Sequence, residues 1–460
     1  MKKIILGAAL AFVSMSLTSC LHDNEDLFDK PAAERMEEAV KADKELLESA
    51  SNGWQMHFYT GEQYTGGGYT MFMKFKSGKA YVSSDIAPAE MVTSSSYDVV
   101  TDHGPVITFN THNLIMHYLA QPSQGNVEGE QGDYEFIIMK TTQDSIYVKG
   151  KKWGNKFVMT RVPEDESWKE SISKMQNVTN NMNFAYLPEN AVNTDDAVLF
   201  DPDLRRIYTN GDTSIGTSFY ATTDGLAFLS PVTIAGKQVS ELKFDATTQK
   251  FSSADGELKL ESYFPEGYQS ISGFYGSWNM TFDYEDPTTG QISENMFQTF
   301  SFQPMSTLIN QVSETKLYGT FSIGDYNFAA LFSYSPIYGY LSLKSYMFAS
   351  PLSGLSAMAC VPGYEVWDEK EGKYVPRIAD GNVNFMQQGD GSFKVIFDDP
   401  NADRIYLLGL TPEGKYAIVF TWKNPSDFVP VGSGAKGVDC KKQMPKFDIL
   451  NFKNFKPSVR

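Results

Sequence analysis

Cysteine is scarce in this chain of 460 residues: Cys20, Cys360 and Cys440 are all there is. That excludes a disulfide framework, and the last two lie so far apart that nothing local argues for a bridge between them. The five histidines, His22, His57, His103, His112 and His117, make no His-Glu-x-x-His pattern, and none sits at ligand spacing from a cysteine. His112 and His117 are five positions apart, which suits neither one helix face nor one strand face. There is no Gly-x-Ser-x-Gly elbow and no Walker loop; Gly432 to Gly437 is glycine-rich without the required spacing. No cofactor is implied. Basic residues are outnumbered, 39 Lys and Arg against 56 Asp and Glu, and no basic stripe interrupts the net charge of −17. Such a chain repels phosphates, which sets nucleic acid aside as a partner and leaves neutral or cationic ones.

The one clear oily run lies at the start. Lys2 and Lys3 precede Ile4 to Met15, and Leu17-Thr18-Ser19-Cys20 closes the stretch. The run is too short for a permanent span and has the layout of a secretory signal. Its end resembles the lipobox of bacterial lipoproteins, in which Cys20 becomes the first mature residue and carries the acyl chains. More than one acyl chain gives stable anchoring where one does not. Leu21-His22-Asp23-Asn24-Glu25-Asp26 resembles the surface-export signal of lipoproteins in the Bacteroides group. The expectation is an outer-membrane lipoprotein facing the cell surface, with a periplasmic orientation as the alternative.

What the chain does have is aromatic and glycine residues: 25 Tyr, 32 Phe and 36 Gly, with aromatics at 14%. That composition, with few long apolar runs, reads as mostly β. Residues 27–50 form a helix, with Met36, Ala39, Val40, Leu46 and Leu47 on one side and Asn52-Gly53 as the stop. Short alternating strands follow from Trp54 to Thr160, in an antiparallel meander that curls into a barrel or folds as a sandwich; a barrel-like sheet is preferred. A second helix is expected from about Ser167 to Val178, again followed by strands. From Lys316 to Thr421 strands return. The division expected is a signal peptide (1–19), a tether (20–30), a helix-plus-β domain (31–163), a second such domain (164–300) and a C-terminal β domain (301–460), more domains than one core would serve.

Asp26-Leu27-Phe28-Asp29-Lys30, Asn52-Gly53-Trp54, Gly67-Gly68-Tyr69, Gly104 to Asn110, Gly132 to Phe136 and Lys149 to Lys152 occur in order, followed by Gly225-Leu226 and Pro231-Val232. Together they resemble the family called domain of unknown function 4302, found in lipoproteins of Bacteroides and relatives. The resemblance covers most of the mature chain and is densest in residues 26–235. It implies no established activity. It does imply a setting near the nutrient-uptake systems of the outer membrane.

Few residues offer chemistry. Gly67 and Gly68 bring a loop close to a ligand or free a tight bend. Lys151 and Lys152 are basic in an acidic chain, and Trp153 beside them in a hairpin loop is the ring to watch among Trp54, Trp153, Trp168, Trp278, Trp367 and Trp422. Asp195, Asp196, Asp201 and Asp203 form a dense acidic group that would clamp a hard cation if folded together; a wet loop is the simpler account. The functional expectation is a non-catalytic module binding a glycan or peptide, in company with outer-membrane uptake proteins. The alternatives are a structural or adhesive envelope protein and a hydrolase with dispersed carboxylates.

Overall fold

The computed structural model describes residues 30–102, 104–122, 127–201, 204–210, 216–286, 289–309, 311–323, 326–349, 358–410, 416–431 and 438–439. Cys20, Asp203 and Cys440 lie outside them. Helix α1 (Ala32–Glu48) starts after Pro31, whose fixed φ suits a first turn. It lays Leu47, with Val40 and Leu46 beside it, on the neighbouring sheet. Lys44 pairs with Asp98 at 2.6 Å, and Glu48 accepts the Tyr97 hydroxyl at 2.7 Å.

That sheet is a closed barrel of eight strands: β1 (Trp54–Tyr59), β2 (Gly68–Lys76), β3 (Lys79–Ser84), β4 (Thr93–Thr101), β5 (Pro105–Phe109), β6 (Glu135–Thr141), β7 (Ser145–Gly150) and β8 (Lys156–Arg161). Each pairs antiparallel with the next, and β8 returns to β1. Trp54, Met56 and Phe58 point inward, as the alternation predicts, and Trp54 Nε1 donates to Leu47 O at 2.9 Å. A short helix, α2 (Leu114–Tyr118), links β5 to β6; the Asn113 side chain caps it by accepting the Met116 N–H.

Helix α3 (Trp168–Asn181) begins at Ser167, whose hydroxyl accepts the Glu170 N–H. It buries Ile172, Met175 and Val178 and runs nearly a turn beyond the expected end. A second closed eight-stranded barrel comes after it: β9 (Ala185–Pro188), β10 (Val198–Asp201), β11 (Arg206–Tyr208), β12 (Gly216–Ala221), β13 (Gly225–Ile234), β14 (Lys237–Asp245), β15 (Lys250–Ser252) and β16 (Lys259–Ser262), with β16 closing on β9. The preferred barrel form thus occurs twice.

The third sheet has twelve strands. β17 (Gly276–Glu285), β18 (Ile292–Ser306), β19 (Val312–Ile323), β20 (Tyr326–Ser335) and β21 (Tyr340–Ala349) form a meander. Next come β22 (Met358–Asp368), β23 (Lys373–Ile378), β24 (Val383–Gln387), β25 (Phe393–Phe397), β26 (Arg404–Leu410), β27 (Tyr416–Pro430) and β28 (Val438–Asp439). The path runs β21–β24–β25–β27, and β27 also pairs with β17 and so joins the ends; β22, β23 and β26 branch off between β21 and β27. Its core is strongly aromatic, with Phe300, Phe302, Phe332, Phe385, Phe428 and Trp422 packed together, and it holds Cys360, whose thiol burial pushes up.

Two details depart from the sequence-based expectation. Residue 300, the expected boundary, lies inside β18, because the third sheet already starts at Gly276. β27 continues past Thr421 to Pro430, since bulges with positive φ at Asn424 and Asp427 carry it through a stretch without clean alternation. Among the described residues no helix is long and apolar enough to cross a membrane.

Candidate ligand-binding cleft

β2 is buried on both faces. Met71, Met73 and Phe75 fill the first barrel, while Phe72 belongs to the core of the second and stacks on Trp168 at 5.6 Å. The outward residues Gly68, Thr70 and Phe72 therefore meet the second barrel. Gly67 and Gly68 sit in this seam. A Cβ on Gly67 would lie 2.7 Å from Leu204 O, and one on Gly68 would lie 2.7 Å from Phe219 O. The glycines bring two barrels together. Ser218 Oγ donates to Tyr64 O at 3.0 Å, and Arg206 reaches Thr65 O at 2.6 Å. His57 stacks on Tyr220 with ring centroids 3.8 Å apart, and its Nδ1 is 3.3 Å from Thr70 Oγ1. Burial pushes the His57 pKa down to about 4, against the opposing charge of Asp85.

The seam opens at one end into a cleft of about 530 Å³, within the range of small-molecule sites. Its walls come from the first barrel, α3, the second barrel and the β18–β19 turn of the third sheet. Ile309 of that turn is only 2% exposed and packs with the core residues of the first barrel. On the cleft wall lies an ion pair, Arg205 Nη1 to Asp85 Oδ2, with side chains 10% and 1% exposed. Asp85 Oδ1 accepts the Thr70 N–H at 2.9 Å; Arg205 Nη1 also donates to Gly68 O at 3.1 Å. The guanidinium lies 4.5 Å over the Tyr69 ring. Burial alone would pull the Arg205 pKa down, but the charge of Asp85, helped by Tyr69 and Glu314, outweighs it and holds the group above its ordinary value. Arg205 takes a positive φ of 44°, a conformation that costs a non-glycine residue energy.

Beyond this neutralised pair the lining carries Glu130, Asp201 and Glu314 against Lys316, with Gln176 and Asn180 from α3 and the Tyr69 ring. An excess of acid, side-chain amides and an aromatic wall suit a neutral or cationic ligand with many hydrogen-bonding groups. Among the described residues the lining contains no histidine and no cysteine.

The residues singled out in the sequence do not converge here. Lys151, Lys152, Trp153, Gly67 and Gly68 are all absent from the cleft lining. Lys151 is engaged by Asp102 at 2.8 Å and Glu135 at 3.3 Å. The Lys152 ammonium rests 4.4 Å over the half-buried Trp153 ring, and Asp133 accepts the N–H groups of both Lys152 and Trp153. Of the described members of the acidic group, Asp195 and Asp196 lie in the turn before β10, and Asp201 reaches the cleft, where its Oδ1 accepts the Leu204 N–H. No group of three or more His, Cys, Asp or Glu able to hold a metal occurs among the described residues. His112 and His117, separated by sequence spacing, come together at 4.9 Å because α2 begins between them. Trp54, Trp168, Trp278 and Trp422 are packing residues, whereas Trp367 is 52% exposed on β22. Sequence reasoning missed Asp85, Arg205, Gln176 and Asn180. Arg205 follows Asp201 in the sequence Asp-Pro-Asp-Leu-Arg-Arg, which carries a charge signal, but nothing in it points to Asp85.

No curated protein matches the chain. Among solved structures, a mutant of the vaccine antigen transferrin binding protein B from Haemophilus parasuis aligns at 8% identity, with 79% of this chain and 66% of that one covered and a TM-score of 0.13. At that score the two share no demonstrable arrangement. The first barrel, α3 and the second barrel as far as β14 coincide with a single family match: residues 24–246 match the family described as Domain of unknown function (DUF4302).

Proposed function

We propose that the protein is a non-catalytic binding module, held at the cell surface by lipid on Cys20, which takes a neutral or cationic glycan or peptide in the cleft and serves nutrient uptake or the cell envelope. The observation that carries this reading is the cleft itself: three sheets and α3 converge on a space of ligand size, and the fixed Asp85–Arg205 pair stiffens its wall. Two of its carboxylates are already committed, Asp85 to Arg205 and Thr70, Asp201 to the turn at Leu204. Committed acceptors orient a ligand better than they transfer protons.

A glycan array and a peptide library probed with soluble protein starting at Leu21 test the reading. The ligand found should bind Asn180→Trp at least tenfold more weakly, since Asn180 is exposed on α3 and the indole fills the cleft. Trp153→Ala should bind as the parent does. The reverse pattern would move the site to the β7–β8 loop. The anchor is tested separately: Cys20→Ser should shift the protein from the membrane to the soluble fraction, and unchanged partitioning would contradict the lipid assignment.

A further inference from the structure

The turn between β20 and β21 carries a group that the cleft does not use. Gly339 N donates to Ser335 O at 2.8 Å and closes the turn. Tyr338 and Tyr340, two positions apart, bring their rings together near-parallel, with centroids 6.1 Å apart and planes within 18°. Tyr338 is 49% exposed and Tyr340 half-buried. The platform is held from behind. Tyr268 packs so tightly on Gly339 that an added Cβ would lie 2.6 Å from its ring. The Tyr334 hydroxyl donates to Gln269 O at 2.8 Å and lies 3.2 Å from the Tyr268 hydroxyl.

An ordered polar row runs beside the rings. Tyr340 and Ser342 share a face of β21, and Ser342 pairs across with Asn384, which pairs with Ile396. Ser342 Oγ donates to Asn384 Oδ1 at 2.6 Å; Asn384 Nδ2 donates to Asp398 Oδ1 at 2.7 Å; Asn382 donates to Asp398 Oδ2 through both its backbone N–H, at 2.7 Å, and its Nδ2, at 3.1 Å. Asp398 is exposed and has no cation partner among the described residues. Its charge reaches the Tyr340 hydroxyl.

Near-parallel rings, one exposed and one half-buried, next to a fixed carboxylate and amides are complementary to a sugar. The C–H face of a pyranose stacks on an aromatic face, and its hydroxyls find acceptors and donors at the edge. A protein partner would require a broader apolar area. Nucleic acid bases would stack equally well, but their phosphates would face Asp398 and a chain of net charge −17. We propose that Tyr338, Tyr340 and the Asn382–Asn384–Asp398 row form a binding strip for a neutral oligosaccharide, separate from the cleft and from residues 24–246.

Calorimetry or affinity electrophoresis of the soluble chain from Leu21 tests this, with cellohexaose, maltohexaose, mannohexaose and xylohexaose as neutral probes and oligogalacturonate as the anionic one. At least one neutral probe should bind. Tyr338→Ala, at an exposed position that leaves the fold intact, should weaken it at least fivefold, Tyr338→Ala/Tyr340→Ala at least twentyfold, and Asp398→Asn severalfold. Asn180→Trp in the cleft should leave this binding unchanged, so failure of the strip and failure of the cleft are read separately. Absence of binding to every neutral probe, tighter binding of oligogalacturonate, or neutral binding that survives the double substitution would each overturn the proposal.

Discussion

Replacing Arg205 by Ala should lower the unfolding free energy by about 3–5 kcal/mol, the usual cost of stranding one member of a buried ion pair. The reason lies in what is left behind. Asp85 has a side chain 1% exposed, and its second oxygen is held by the Thr70 N–H. Without the guanidinium its charge keeps the hydrogen bonds of the Thr70 N–H and the Ser84 hydroxyl but has no counter-charge. The Asp85→Ala change should cost less, because Arg205 keeps Gly68 O and the Tyr69 face and is 10% exposed. Urea unfolding of the soluble chain reads both. Asp85→Asn combined with Arg205→Met should recover much of the loss, since no charge is then buried. A loss below about 1 kcal/mol for Arg205→Ala would mean that water reaches Asp85 and that the seam is not closed.

The second large effect is on pH. His57 is half-buried between the barrels, and desolvation pushes its pKa from 6.5 down to about 4. Between those values the unfolded chain carries a proton on this ring that the folded chain refuses. Stability is therefore fully present above pH 6.5, falls as the pH drops from 6.5 to 4, and levels off below. The gap corresponds to about 3 kcal/mol at one ring. The groups facing His57 do not mask it. Tyr59 and Tyr220, their pKa raised by burial, stay neutral throughout, and Asp85 is held by Arg205. His117, half-buried and also lowered, adds a loss of the same sign. Glu48 and Asp98, lowered by the Tyr97 hydroxyl and by Lys44, add theirs nearer the acid end. Comparison with His57→Phe isolates the ring: the parent should lose stability between pH 6.5 and 4.5 much faster than the variant. Parallel curves would show that the imidazole is solvated and that the barrels part in solution.

The two long helices and most strands of the barrels are legible in the sequence because their signals are local. Ser167 caps α3, and Trp54, Met56 and Phe58 alternate. The features that escape depend on pairs distant in the chain. Asp85 and Arg205 meet only after two barrels have closed and docked. The Gly66–Gly68 run reads as a loop because glycine's freedom is visible in sequence, whereas the closeness of Leu204 and Phe219 is not. Trp153 stands out as a ring beside lysines, yet Asp133, remote in sequence, ties its loop down. Residue 300, the expected division, lies inside β18, a long strand with a bulge near Asn295, where alternation lapses. Tyr338 and Tyr340 read as the start of a strand; their partners Tyr268 and Asp398 lie some 60 to 70 residues away on either side.

A crystal structure of the soluble chain with the tightest ligand from the glycan and peptide screens tests the central claim most directly. The ligand should lie between α3 and the β18–β19 turn, in contact with Asn180 and the Tyr69 side of the Arg205 pair. A ligand seated elsewhere, with those walls bare, would contradict it.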